Sequence, residues 1–299
     1  MGHNHKHHNH SHDHNSVKNI KIAFFLNFFF TIIEFIGGFL TNSVAIMSDA
    51  LHDLGDTFSL GLAWFLEKFS SKKRTDKFSY GYKRFSLLGA FINAIILLIG
   101  SLFILSEAIP RIINPETSNA QGMLILAIFG ILVNGYAVYK TSKGKTMNEK
   151  IISWHLLEDV LGWVAVLIVS IIMFFTNIQI LDPILSILIT IYILWGVLKN
   201  LKATSLLFLQ ATPNALDVKV IDEVLKETSS IKGIHDTHIW SLDGEENVLS
   251  THIIINKDSS SKDIILLKSE IKNKLKNLGI QHSTLEIEFD NEDCDGYCD

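Results

Sequence analysis

Cysteine is almost absent from this chain, and so is any excess of positive charge. Only Cys294 and Cys298 occur in 299 residues, which is too few for the disulfide framework of a small secreted domain. The formal net charge is −5 at pH 7, so the composition gives no indication of nucleic-acid binding. The first residues are polar and lack an apolar core, and we therefore expect no secretory signal peptide there.

Apolar sequence is abundant, and it is concentrated in one part of the chain. Hydrophobic residues make up 48% of the total, and the mean hydropathy is +0.29. The apolar part extends from about Ile20 to about Phe208. A helix needs about 20 apolar residues to cross the hydrocarbon core of a bilayer. We therefore predict six transmembrane helices, at about 20–40, 44–65, 85–109, 121–139, 151–175 and 180–198.

Lysine and arginine are distributed unevenly among the predicted loops. The connections after the second and fourth spans are rich in lysine, whereas those after the first, third and fifth spans contain only Arg111. Because cytoplasmic loops carry the excess of Lys and Arg, we expect both termini in the cytoplasm. The short loops favour the plasma (inner) membrane of a prokaryote.

From Thr212 onward the sequence is polar and is patterned like a soluble domain. We predict helices at 215–228 and 262–278, and strands at 234–242, 248–255 and 284–289. Gly279 is expected to cap the second helix. The fold class is thus an α-helical membrane protein with six transmembrane helices and a C-terminal cytoplasmic α+β domain with one sheet and its helices on one face. The expected segments are a His-rich disordered tail (1–16), the six-helix domain (17–208), the α+β domain (209–290) and a Cys-containing tail (291–299).

Two histidine–aspartate pairs lie inside the apolar spans: His52 with Asp56, and His155 with Asp159. The i, i+4 spacing places both side chains of a pair on one helix face, about 5–6 Å apart. An ionised carboxylate near the bilayer centre costs about 2.5–3.5 kcal/mol on insertion scales, and a bound divalent cation would offset that cost. Two imidazoles and two carboxylates suit the tetrahedral shell of Zn2+. We therefore predict a metal site made of these four residues.

Other polar residues in the spans need partners inside the helix bundle. We expect Asp49 and Asp53 near the first pair, and Glu158 near the second, to orient a ligand or to line the metal pathway. Asp182, just before Pro183, is expected to cap the N-terminus of the sixth span. Further polar residues of the spans are Asn27, Glu34, Asn93, Glu107 and Asn134.

The remaining histidines fall into two groups. An N-terminal tract of polar composition predicts a disordered tail that captures metal loosely; its histidines are His3, His5, His7, His8, His10, His12 and His14. The second group lies at or beside the predicted strands and, with nearby acids and thiols, forms a second set of zinc-type ligands. Its members are His235, His238, His252, His282, Glu286, Glu288, Cys294 and Cys298. Satisfied core histidines and free tail thiols remain the alternatives.

These residues, in this order, resemble the zinc-transporting branch of the cation diffusion facilitator family. The resemblance extends from about Val17 to Asp290, and its motifs are Glu34 with Gly37-Gly38, Asn42-Ser43, Ser48-Asp49-Ala50-Leu51-His52-Asp53-Leu54-Gly55-Asp56, Phe78-Ser79-Tyr80-Gly81-Tyr82-Lys83-Arg84, His155-Leu156-Leu157-Glu158-Asp159, Asp182-Pro183 and Ile234-His235-Asp236-Thr237-His238-Ile239-Trp240. It implies a homodimer, six membrane helices, a cytoplasmic metallochaperone-like domain and proton-coupled metal export. The transport ligands that it implies are His52, Asp56, His155 and Asp159. The cytoplasmic ligands that it implies are His235 and His252, with His282 and Glu288 as neighbours.

Two positions depart from the pattern of some relatives. Phe78 and Tyr82 stand where those relatives carry loop histidines, so we expect no metal site in that loop. Lys83 matches a lysine that in some relatives pairs with an acid after the sixth helix, but Leu209-Gln210 supply no acid here.

We expect a Zn2+/H+ antiporter that works by alternating access, and not an enzyme. Zn2+ would be both the cargo and the regulatory ion of the cytoplasmic domain, with Co2+ and Cd2+ as further candidates and no organic cofactor. An intramembrane zinc hydrolase is one alternative, but the chain has no His-Glu-x-x-His motif and four protein ligands leave no open coordination position. A metal sensor or store is another, although it would not need six spans.

Overall fold

The computed structural model describes residues 13–70, 74–142 and 147–292. The predicted ligands His3 to His12, Cys294 and Cys298 therefore lie outside the described residues, as does the side chain of His14. The described part begins with six long helices, namely α1 (Asp13–Thr41), α2 (Val44–Ser70), α3 (Arg84–Ile113), α4 (Ala120–Ser142), α5 (Met147–Thr176) and α6 (Leu181–Phe208). They contain between 23 and 30 residues. At about 1.5 Å of rise per residue, each is longer than the hydrocarbon core of about 30 Å.

Of the six long helices, five are long and apolar enough in their described residues to cross a membrane. The exception is α2. Its hydropathy is lowered by three aspartates within about two turns, Asp49, Asp53 and Asp56. One of these aspartates, Asp56, belongs to the metal site predicted from the sequence, and the other two are predicted near it. The predicted fold class, a helical membrane domain followed by an α+β domain, is confirmed.

The core of the membrane domain forms where α1, α2, α4 and α5 meet. Its fully buried side chains include Phe30, Ile46, Met123, Trp163 and Met173. A Cβ atom at Gly130 of α4 would lie 2.4 Å from the Trp163 ring, so only glycine lets α4 pack this closely against α5. The large indole of Trp163 is thereby fixed in the centre of the bundle.

Asp182 differs from its prediction. It lies inside the first turn of α6, and its carboxylate accepts hydrogen bonds at the start of α2 instead of capping its own helix. The donors are the Ser43 hydroxyl at 2.6 Å, the Val44 amide at 2.9 Å and the Ala45 amide at 3.3 Å. The predicted cap of α6 is therefore wrong, because the free amides that Asp182 satisfies belong to a neighbouring helix.

The C-terminal domain has the predicted element order, with some shifted boundaries. Its elements are α7 (Val218–Lys226), β1 (Ile231–Ser241), β2 (Asn247–Ile255), α8 (Ser261–Asn277) and β3 (Ile280–Phe289). The sheet order is β1-β2-β3, with β1 antiparallel and β3 parallel to β2. Gly279, which follows α8, has a φ of +83°, in agreement with its predicted capping role.

One apolar core joins both helices of this domain to the sheet. It contains Leu225 of α7, Ile271 of α8 and, from β2, Leu249 and Ile253. From Leu249 onward burial alternates along β2, so Ser250, His252 and Ile254 point to the other face. That second face, which the core does not use, carries His252. Helix α8 begins at a capping box in which Ser260 lowers the pKa of Asp263 by hydrogen bonding to its carboxylate.

Candidate metal centres

The two histidine–aspartate pairs of the membrane domain meet across α2 and α5. Asp56 Oδ2 lies 2.8 Å from His155 Nε2 and 3.5 Å from His52 Nε2. The two imidazole rings are 5.9 Å apart at an angle of 77°. The aspartate of one helix is therefore closer to the histidine of the other helix than to the histidine of its own pair.

Asp159 completes this group from α5. One donor atom each of His52, His155 and Asp159 lies within 4.8 Å of the others. Donor atoms around a tetrahedral Zn2+ are about 3.3–3.5 Å apart, given bonds of about 2.0–2.2 Å, so small side-chain movements would enclose an ion. Asp159 is only 4% exposed, and its Oδ2 has no hydrogen-bond partner among the described residues. A buried carboxylate oxygen without a donor is the group that a cation would satisfy.

The other three side chains are less buried than Asp159. The exposed fractions of the His52, Asp56 and His155 side chains lie between 23% and 35%. The group is therefore partly accessible on its imidazole side and closed at Asp159.

The three acids predicted to assist the site have different positions. Glu158 is exposed, and its carboxylate accepts a hydrogen bond from the Tyr192 hydroxyl at 3.3 Å. It adds no donor atom to the group formed by His52, His155 and Asp159. Asp49 and Asp53 are buried, at 5% and 0% exposure, and each has at least one carboxylate oxygen without a hydrogen-bond partner among the described residues.

Glu34 is a buried acid that the sequence marked only as one of the polar residues of the spans, without a specific role. It lies on α1, is 0% exposed, and has no hydrogen-bond partner among the described residues for either carboxylate oxygen. Its carboxyl group lies beside Asp53 and the Trp163 indole. The available signal was an isolated acid in a strongly apolar span, but sequence alone could not say what it faces.

A second candidate centre lies on the exposed face of the sheet. His235 and His252 are register partners on β1 and β2, with ring centroids 5.1 Å apart. Glu288 of β3 reaches both: its Oε2 is 3.4 Å from His235 Nε2, and its Oε1 is 2.5 Å from His252 Nδ1. These three residues offer donor atoms that all lie within 4.8 Å of one another.

Asp236 and Glu286 lie on the opposite side of the His252 ring. Each has a carboxylate oxygen 3.5 Å from His252 Nε2. Asp236 also lies 2.9 Å from His238 Nε2, at a strand irregularity where its own φ is +51°. The sequence did not single out Asp236, because the irregularity that turns it toward His252 is not visible in the strand pattern.

His282 does not join this group. Its Nε2 is 3.5 Å from Glu246 Oε1, and its ring packs against Tyr80. Glu246 also pairs with Lys83. The acid that faces Lys83 therefore comes from the connection between β1 and β2, and not from the segment after α6 in which the sequence analysis looked for it.

The loop before α3 carries aromatic side chains where some relatives have histidines. The rings of Phe78 and Tyr82 are 4.7 Å apart, and both contact Phe85. Within the described residues, no group of potential metal ligands is found in this loop. The packing gives these aromatic residues a structural role.

Comparison with known proteins gives the same picture over nearly the whole chain. Residues 20–209 match the cation efflux transmembrane domain, and residues 213–289 match the cytoplasmic domain of cation efflux proteins. The chain is 35% identical to the cadmium, cobalt and zinc/H(+)-K(+) antiporter of Bacillus subtilis (strain 168), over 96% of this chain and 92% of that protein. It is 30% identical to the zinc transporter ZitB of Escherichia coli (strain K12), over 97% and 93%. It is also 30% identical to the metal cation efflux system protein CzcD of Cupriavidus metallidurans, over 91% and 86%.

Proposed function

The chain belongs to the cation diffusion facilitator (cation efflux) family, and we propose that it exports Zn2+ in exchange for protons. At the level of the family, it is an integral membrane antiporter for divalent metal ions, with a cytoplasmic domain of the dimerising type. Zn2+ is the principal cargo in this proposal, and Cd2+ and Co2+ are further ones. The relatives named above are described as transporters of these metals.

The observation that carries the proposal is the meeting of His52, Asp56, His155 and Asp159. Two imidazole nitrogens and two carboxylates form a mixed set that suits Zn2+ better than Mg2+ or Mn2+, which prefer oxygen ligands. Asp56 faces both histidines, and Asp159 brings a buried oxygen that lacks a donor. Four protein ligands fill a tetrahedral shell, so the site can hold an ion without water.

Protons and metal compete for the same atoms in this mechanism. A histidine nitrogen binds a metal ion only after it has lost its proton, and free imidazole titrates near neutral pH. Loading from the cytoplasm displaces protons from His52 and His155. After the helices reorient, protons from the other side of the membrane return to the imidazoles and release the ion. Alternation between the two orientations gives exchange rather than a leak.

The cytoplasmic domain binds a regulatory Zn2+ in our proposal. His235, His252 and Glu288 are the principal ligands because they form a compact group on the open face of the sheet. His238, His282, Cys294 and Cys298 remain candidate ligands of lesser support. Metal bound here would favour one arrangement of a homodimer and so couple the cytoplasmic zinc level to transport.

The remaining parts of the chain follow from this assignment. We place a metal-capturing tail at 1–16, the transport domain at 17–208, the regulatory domain at 209–290 and a cysteine-containing tail at 291–299. The protein lies in the plasma (inner) membrane of a bacterium, with both termini in the cytoplasm. Asp49 and Asp53 assist the transport site. Glu158, which accepts a hydrogen bond from Tyr192, has the least support of the three acids for such a role.

Zinc resistance in cells tests the proposal. Cells that lack their own zinc exporters are made to produce the wild-type chain, Asp159→Asn or Glu158→Gln. We expect the wild type and Glu158→Gln to restore growth in zinc and to lower cell zinc, because Glu158 is bonded to Tyr192 and supplies no donor atom to the metal group. Asp159→Asn should do neither, although it reaches the membrane in equal amount. Resistance with Asp159→Asn would contradict the site, and failure of the wild type would contradict export.

A further inference from the structure

Glu34 is a buried acid that the metal site does not use. It lies on α1, which carries none of the four proposed ligands, and its side chain is 0% exposed. Moving an ionised carboxylate out of water is costly unless a cation or several donors replace the water. Neither carboxylate oxygen has a hydrogen-bond partner among the described residues. Beside the burial, the described structure offers one nearby N–H donor, that of the Trp163 indole, and no cation to balance a permanent negative charge at Glu34.

The charged groups that face Glu34 are acids as well. They are Asp49 and Asp53 from α2 and Asp159 from α5. Asp49 and Asp53 are themselves buried, at 5% and 0% exposure. Several carboxylates so close together in a dry environment cannot all be ionised at once. At least one carboxyl in this cluster must hold a proton whenever no cation is bound nearby.

The Trp163 indole distinguishes Glu34 from the other acids of the cluster. Its Nε1 is buried, lacks a hydrogen-bond acceptor among the described residues, and lies beside the Glu34 carboxyl. An indole N–H can only donate. A protonated Glu34 can accept from Trp163 with its carbonyl oxygen while its O–H donates to Asp53. An ionised Glu34 can still accept from the same N–H, so the indole is a partner for both states of a carboxyl that takes up and releases a proton.

We propose that Glu34 binds and releases one of the protons that are exchanged for metal, at a place separate from the metal ligands. This inference rests on the proposed Zn2+/H+ exchange. When a divalent cation enters beside Asp159, its positive charge favours ionisation of Glu34. The carboxyl O–H bond breaks, the proton is released, and the electron pair stays on the carboxylate. When the ion departs, the carboxylate takes up a proton again. Because this proton leaves as the ion enters, the net charge of the cluster and the ion together changes by less than the charge of the ion.

The chemistry of the cluster favours a proton over a second metal ion. Its members offer only carboxylate oxygens and one N–H donor, without an imidazole or thiol for Zn2+. A proton needs only two oxygens, whereas a potassium or magnesium ion needs about six or more oxygen ligands. Glu34 and Asp53, with the indole beside them, suffice for a proton.

Proton release on zinc binding tests the inference in the full-length purified protein. The wild type, Glu34→Gln and Glu116→Gln are compared, each with His252→Ala so that the cytoplasmic cluster does not contribute. Glu116 is an exposed loop acid that pairs with Arg111, and Glu116→Gln is the matched control. We expect Glu34→Gln to bind zinc but to release about one proton fewer per ion, with a correspondingly shallower dependence of affinity on pH. Glu116→Gln should match the wild type.

Transport in proteoliposomes gives an independent measure, with the membrane potential clamped at zero. Exchange of zinc for zinc moves no net protons, so Glu34→Gln should retain it. Zinc accumulation driven by a pH gradient should fall about tenfold per pH unit of gradient, because one proton fewer contributes to the driving force. Glu34→Asp keeps a titratable carboxyl and should restore most of that accumulation.

Each outcome decides between the inference and its alternatives. An unchanged proton count in Glu34→Gln would overturn the inference while leaving Zn2+/H+ exchange intact. A wild type that releases no protons would instead overturn the proposed function. A potassium dependence that disappears in Glu34→Gln while the proton count stays constant would identify a cation site and would also overturn the inference.

A variant that fails to fold does not block the test. In that case the infrared spectrum of the wild type is recorded before and after zinc is added. We expect loss of a protonated-carboxyl C=O band, and a shift of that band in Glu34→Asp. A wild-type spectrum without such a band would refute the role of Glu34.

Discussion

Asp56 is the residue on which the geometry of the transport site depends most. It faces one histidine of its own helix and one of a neighbouring helix, at 3.5 Å and 2.8 Å. The i, i+4 pattern predicted the first of these contacts. It could not predict the second, because the relative rotation and register of α2 and α5 depend on the packing of the bundle, in which Ile46 of α2 and Trp163 of α5 share one buried core, rather than on local sequence.

Asp56→Asn should greatly weaken zinc binding at the transport site. The asparagine keeps the shape of the side chain but loses the negative charge that faces both imidazoles. Loss of a residue that only orients a ligand typically costs about 10–100-fold in metal affinity, and we expect a larger loss here. Zinc titration of the full-length protein in the His252→Ala background measures it. Affinity within a fewfold of the parent would contradict the assignment of Asp56, and Glu158→Gln serves as the control.

His52→Asp should change which metals are carried. It replaces a nitrogen ligand by oxygen, and Mn2+ prefers oxygen ligands whereas imidazole suits Zn2+. We expect the uptake rate of Mn2+ to rise relative to those of Zn2+ and Cd2+. Competitive uptake of the three metals into vesicles measures these ratios, and unchanged ratios would refute the role of His52 in selectivity.

At the scale of the elements, hydrogen bonds between helices explain features that the sequence could not specify. The sequence predicted where the helices and strands lie, because hydrophobic length and periodicity are local properties. It predicted the wrong helix for the cap formed by Asp182, and it did not predict the acid that faces Lys83. Both errors concern a side chain that acts on a distant element, Asp182 on Ser43 and Val44 of the α2 start and Glu246 on Lys83.

Asp182→Ala should destabilise the start of α2. The buried Ser43 hydroxyl and the Val44 and Ala45 amides would lose their acceptor, and an unsatisfied buried donor typically costs about 1–3 kcal/mol. We expect a lower thermal stability, measured as the fraction that remains monodisperse after heating. Asp182→Asn keeps one acceptor oxygen and should have a smaller effect. Equal stability of Asp182→Ala and the wild type would show that this cap is dispensable.

The same limit applies to the metal cluster of the sheet. The alternation of polar and apolar residues predicted strands at or beside His235, His252 and His282. Their grouping depends on strand register, which pairs His235 with His252 and places Glu288 beside them. His282 begins the same strand as Glu288 but lies about six residues or 20 Å along an extended chain from it. It consequently pairs with Glu246 instead.

At the scale of the whole molecule, we propose that transport and regulation use two separate candidate metal centres. One is built from helices and contains two histidines and two aspartates, and the other is built from strands and contains two histidines and a glutamate. The comparison with relatives extends over both domains. Separate centres allow each to be removed without the other, which makes their roles distinguishable.

Zinc should make the cytoplasmic domains of the dimer more compact. In our proposal the bound ion neutralises the negative charge of the acids that surround His252, namely Asp236, Glu286 and Glu288, and so favours one arrangement of the two cytoplasmic domains. We expect a smaller radius of gyration for the zinc-loaded full-length protein than for the metal-free protein in small-angle scattering. His252→Ala should lose this change, whereas Asp159→Asn should retain it. Identical scattering with and without zinc would contradict a regulatory role for this centre.

The account rests most directly on zinc transport driven by a pH gradient. The decisive measurement is Zn2+ uptake into proteoliposomes under an imposed gradient, with the wild type and Asp159→Ala compared at equal protein incorporation. The account predicts uptake by the wild type that rises with the gradient, stops when the gradient is dissipated, and is absent in Asp159→Ala. Zinc binding without gradient-driven uptake in the wild type, or unchanged uptake in Asp159→Ala, would contradict it.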